Sequence, residues 1–142
     1  MADIASVTVE SETPAPSSLL AGTWFNELGS TLTTPVDGTG GLRGHYTSGA
    51  GSVAGNIYPL VGTYDPNAQG HETVVGFVVD WTEIHAVTVW SGQYHHADET
   101  IRATWLMATE TAAGDEWRST FVGHDVFRRG RADATGSLTS VP

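Results

Sequence analysis

Trp81-Thr82-Glu83-Ile84-His85-Ala86-Val87-Thr88-Val89-Trp90-Ser91-Gly92-Gln93-Tyr94 reads as the end of one strand, a tight connection and a second strand. Side chains of an extended chain alternate between faces. The second strand therefore places Ala86, Thr88, Trp90 and Tyr94 on one face and His85, Val87, Val89 and Gln93 on the other. The strand before it puts Thr73, Val75, Phe77, Val79 and Trp81 on one side. Indole rings on adjacent strands, with a small hydroxyl residue between them, make the wall of a small-ligand pocket. The opposite faces carry Val74, Val78, Val87 and Val89, and a strand apolar on both sides is covered on both sides. The pattern predicts a pocket inside and a subunit interface outside.

On either side of this pair, short alternating runs separated by Gly, Asp or Asn recur along the 142 residues. Strands are expected near 22–28, 31–34, 42–47, 57–64, at the opening pair, near 101–107 and near 119–127. Pro59 has no N–H for a ladder, so either it marks a bulge or its strand starts later. Ser48-Gly49-Ala50-Gly51-Ser52 is the best lid candidate. Eight strands at hairpin spacing predict an all-β fold, an eight-stranded antiparallel up-and-down β-barrel, because closure removes the edges. Residues 1–18 read as a disordered arm, 19–128 as the barrel domain and 129–142 as a flexible tail.

The formal net charge is -10, and all six basic residues are Arg. That balance argues against nucleic acid or anionic membranes as partners. No apolar run reaches the roughly 20 residues of a membrane span, and the start at Met1 shows no secretory signal. Without cysteine, neither disulfides nor thiolate metal sites are available. His95-His96 with Asp98 and Glu99 has the composition of a metal cluster, but consecutive histidines diverge and no third ligand is spaced to join them. A solvated loop is the preferred reading. His124 beside Asp125 is not a catalytic pair, since neighbours in a strand face opposite ways. No catalytic residue and no metal or cofactor is expected.

The inward faces collect Asn26, Tyr46, Ser48, Thr88 and Asp125, with Ser30 at a turn. Their apolar companions are Trp24, Phe77, Trp81, Trp90, Trp105 and Met107. An unpaired polar group in such surroundings costs about 1–3 kcal/mol, so the cluster implies a ligand, ordered water or mutual pairing.

Gly22-Thr23-Trp24-Phe25-Asn26-Glu27-Leu28-Gly29-Ser30, Thr88-Val89-Trp90-Ser91-Gly92-Gln93-Tyr94 and Trp117-Arg118-Ser119-Thr120-Phe121-Val122-Gly123-His124-Asp125 carry a resemblance. With Trp105-Leu106-Met107, the chain from Gly22 to Phe127 resembles the avidin family, its streptavidin-like members most of all. The resemblance implies non-catalytic binding and sequestration of biotin. It assigns Asn26, Ser30 and Tyr46 as donors to the ureido oxygen, and Asp125 and Ser48 as acceptors from the ureido N–H groups. It gives Thr88 the thioether sulfur, and it boxes the ligand with Trp81, Trp90 and Trp105. Leu28 and Met107 join the ligand-binding set. Trp117 would reach into a neighbouring subunit's pocket in a homotetramer whose interface includes Val122 and His124. Secretion is implied by the family alone.

The chain departs from the family pattern at three points. Ala86 stands where a serine would contact the ligand's carboxylate, leaving Ser52 in the lid loop as its substitute. The lid loop carries one extra residue. The connection from Trp81 to Trp90 is several residues shorter, which predicts a more open mouth. These changes also leave room for an alternative, a carrier of a different small ligand on the same barrel. An enzyme using Asp125 or the histidines is the third and weakest reading.

Overall fold

Eight strands hydrogen-bond in sequence order and close into a barrel in the computed structural model, which describes residues 15–49, 51–68 and 72–130. They are β1 (Gly22–Phe25), β2 (Thr31–Thr34), β3 (Gly41–Thr47), β4 (Ile57–Tyr64), β5 (Glu72–Trp81), β6 (Ala86–His95), β7 (Thr100–Thr109) and β8 (Thr120–Arg129). Every pairing is antiparallel, and β8 returns to β1 through Trp24 opposite Arg129 and Phe25 opposite Arg128. The all-β up-and-down barrel is as expected.

The alternation is clean in the longest strands. Thr73, Val75, Phe77, Val79 and Trp81 of β5 and Ala86, Thr88, Trp90 and Tyr94 of β6 are all buried. Val74, Val87 and Val89 on the reverse faces are exposed. Trp24, Leu32, Ile101, Tyr94 and Phe127 fill one half of the interior, leaving the other half to the cavity described below. Among the described residues one α-helix, α1 (Pro16–Leu20), caps the filled end, where the Trp24 indole donates to the Leu20 carbonyl at 2.9 Å.

Arg129 fastens that end. Its guanidinium lies 4.1 Å from the Trp24 ring centroid and donates to the carbonyls of Ala21 and Leu19 at 2.6 and 2.5 Å. Thus α1 and Arg129 lie across the bounds expected at residues 18 and 129. Residues 1–14 of the arm and 131–142 of the tail lie outside the described residues.

Two strand readings are corrected. The first strand ends at Phe25, not near Leu28, because the Asn26 side chain captures the backbone that would extend it. Asn26 Oδ1 accepts from the N–H groups of Leu28 and Ser30 at 3.0 and 2.9 Å, and Gly29 turns with φ +81°. Pro59 neither forms a bulge nor delays its strand: β4 starts at Ile57 and pairs Pro59 with His45. On the other side, the pairing of β4 with β5 begins only at Leu60, so the missing N–H falls beyond that ladder.

Candidate functional site

Strand direction puts four connections at one end of the barrel: residues 26–30, 48–56, 82–85 and 110–119. Between them lies a cavity enclosing about 480 Å³, counting the part open at its mouth. It is lined by Asn26, Leu28, Ser30, Tyr46, Ser48, Trp81, Thr88, Trp90, Trp105, Met107 and Asp125. Residues from six separate segments of the chain therefore converge. Of the expected site residues, Ser52 and Trp117 do not line it. Ser52 is exposed on a short 3-10 turn, Gly51–Val53. Trp117 lies on another, Glu116–Arg118, with 79% of its surface exposed.

The polar wall is preorganised by its own hydrogen bonds. With Asn26 Oδ1 committed to the turn, its Nδ2 points the other way and donates to the Tyr46 hydroxyl at 3.4 Å. Ser30 Oγ accepts from the Gly49 N–H at 2.9 Å, which ties the β1–β2 turn to the start of the 48–56 connection. Burial holds the Tyr46 hydroxyl protonated far above the usual phenol range, so it remains a donor. Asp125 Oδ2 accepts from Trp90 Nε1 at 2.9 Å. Burial raises the Asp125 carboxyl above its ordinary range, although the hydrogen bonds from Trp90 and Asn26 oppose that rise.

The aromatic wall is equally fixed. Trp90 stacks on Phe77 with centroids 4.9 Å apart and meets Tyr46 at 5.1 Å. Trp81 donates its Nε1–H to Thr88 Oγ1 at 2.7 Å, leaving the threonine's own hydrogen as a donor. Trp105 owes its place to Gly123, its partner across the β7–β8 ladder. A Cβ at residue 123 would lie 2.2 Å from Trp105 Cζ2, so only glycine lets the indole lie over β8.

Three contributors escaped the sequence reading. Gly123, two residues before Asp125 on β8, is a bare glycine in the sequence, with nothing local to mark it. Tyr58 is buried with its ring 4.8 Å from Trp81, and its hydroxyl donates to Glu83 Oε1 at 2.6 Å. The alternation of Tyr58 with Leu60 in β4 was the available signal for it. Glu83 had none, since a carboxylate in a connection reads as solvated.

His124 and Asp125 face opposite ways, one exposed and one buried. The cavity lining contains hydroxyl, amide, carboxyl and indole groups but no imidazole or amine to activate a nucleophile. Among the described residues, no cluster of three or more His, Asp or Glu side chains is arranged to hold a metal ion.

A closed barrel filled at one end, with a preformed aromatic cavity and a few converging polar groups at the other, defines a barrel built to hold one small molecule. The Avidin family model matches residues 15–130. Avidin of Gallus gallus is 31% identical over 117 residues, spanning 78% of this chain and 77% of its own. Avidin-related protein 7 of the same species is 32% identical over 120 residues, spanning 79% and 78% respectively. This chain belongs to the avidin family.

Proposed function

We propose that the chain binds and sequesters biotin in the barrel interior and performs no chemistry on it. Avidin-family proteins are non-enzymatic biotin binders, which supports the reading. The observation that carries it is the convergence of Asn26, Ser30, Tyr46 and Asp125 on one cavity walled by Trp81, Trp90 and Trp105. A cyclic urea presents one carbonyl acceptor and two N–H donors. Asn26, Ser30 and Tyr46 supply donors for the carbonyl, while Asp125 and Ser48 accept from the N–H groups. Thr88 faces the thioether, and Leu28, Met107 and the indoles enclose the rest. Because these groups already hold one another in place, little ordering is left to oppose binding.

The same proposal makes the protein a homotetramer. Val61, Val74, Val87, Val89, Leu106 and Val122 are exposed on the outer face of consecutive strands, with His124 beside Val122. Such a continuous apolar surface favours burial against another copy. Trp117, exposed at the rim, completes a neighbouring subunit's site. Ser52 sits on the same rim as a contact for the ligand's tail. Secretion accords with the family.

Thermal unfolding with and without biotin tests the binding. A tight ligand raises the midpoint strongly, by mass action on the folded state. An unchanged midpoint at saturating biotin would reject the proposal. Ala86 and the short 82–85 connection favour a second reading, a carrier of another small ligand, which a fluorescence titration with other cyclic ureas would reveal.

A further inference from the structure

The charges around the cavity mouth are one-sided. The four connections that form the rim carry Glu27, Glu83, Glu110, Asp115 and Glu116 against one guanidinium, Arg118. Arg118 is already engaged, 3.4 Å from Asp115. Glu110 joins the 82–85 connection through its backbone, donating to the His85 carbonyl at 2.9 Å, with its carboxylate 3.8 Å from the exposed His85 ring. Glu83 is fixed by the Tyr58 hydroxyl directly behind Trp81. Glu27 Oε2 accepts from the Val126 N–H, and its charge reaches inward far enough to hinder ionisation of both Tyr46 and Asp125.

Beyond Arg118 and the exposed His85 ring, no basic side chain of the four connections stands against these carboxylates. The lining contains no basic side chain, β6 begins with the methyl of Ala86, and Leu28 is exposed beside half-buried Trp105 and Met107. A ligand seated in the cavity would run its tail past Leu28, Trp105 and Met107 to a rim where the Ser52 hydroxyl faces an excess of acidic side chains. A carboxylate there is repelled over a Debye length of about 8 Å at physiological salt. A neutral tail is not.

We propose that the site is matched to biotin whose carboxyl is consumed in an amide linkage, as on a biotinylated amine, rather than to the free acid. This rests on the biotin reading above and narrows it to a ligand class.

Stopped-flow tryptophan fluorescence with biotin and with biotin N-methylamide tests it in the full chain. At low ionic strength the amide is expected to associate at least about threefold faster than the acid, and the gap is expected to close in 0.5 M salt. Glu110→Gln, and Glu110→Gln combined with Glu116→Gln, are expected to speed the acid and leave the amide rate unchanged. Equal rates at low salt, or a gap indifferent to salt and to both variants, would overturn the neutral-tail assignment while the biotin site stands. If neither probe binds, the biotin reading itself fails and this inference with it.

Discussion

Trp90 Nε1 donates to Asp125 Oδ2 across 2.9 Å, joining β6 to β8 through the interior of the barrel. The Asp125 carboxyl is buried, and burial raises its pKa despite the hydrogen bonds it receives from Trp90 and Asn26.

That shift has a sign that is open to test. A carboxyl whose folded pKa lies above its unfolded value favours the folded state at low pH and costs stability once ionised. Asp125→Asn is therefore expected to stabilise the ligand-free protein at neutral pH. The advantage shrinks as pH falls through the raised folded pKa and is gone below the unfolded value, near 3.9. Melting curves of the two proteins from pH 3 to 8 check this. Biotin binding follows the opposite course: the proposed acceptor role needs the carboxylate, so affinity falls as pH drops through the raised pKa. Asp125→Ala is expected to weaken binding at pH 7 by about 1.5–3 kcal/mol, tenfold or more. Calorimetric titration would show it.

Trp117 is 79% exposed, so its loss touches the fold little. Trp117→Ala is expected to shift the melting midpoint of the free protein by only a degree or two. It is expected to weaken biotin by about 2 kcal/mol, roughly thirtyfold, because an aromatic anchor at an assembled site is lost. Equal dissociation rates for variant and parent would remove the shared-site proposal.

Gly123→Ala drives a methyl into the Trp105 indole. The expected cost is about 1–3 kcal/mol in stability, together with an altered near-ultraviolet dichroism signal as the indole moves. Combining it with Trp105→Leu, a smaller side chain, is expected to recover part of the stability but not the binding.

Tyr58→Phe removes the hydroxyl that fastens Glu83 behind Trp81 while keeping the ring contact. A loss of about 0.5–1.5 kcal/mol in stability is expected, and faster hydrogen exchange confined to residues 82–85. Uniform faster exchange over all strands would contradict a local fastening.

Period-two alternation made the barrel legible, because a strand with one face in the core cannot slip by one residue without exposing every apolar side chain. The same alternation brought Trp81, Trp90, Thr88 and Asp125 to the interior. What stayed hidden depended on distances between strands far apart in the chain. Gly123 matters only because Trp105 lies across from it, and Tyr58 only because Glu83 is folded over it. Where Asn26 spends its side-chain oxygen on the turn, local hydrogen bonding overrode strand propensity and shortened β1.

The clasp of Arg129 on the carbonyls of Leu19 and Ala21 has a practical corollary. It brings both termini of the described chain together at the pole opposite the opening. A protein joined directly at Ala15 or Gly130 would emerge at that pole and leave the entrance facing solution.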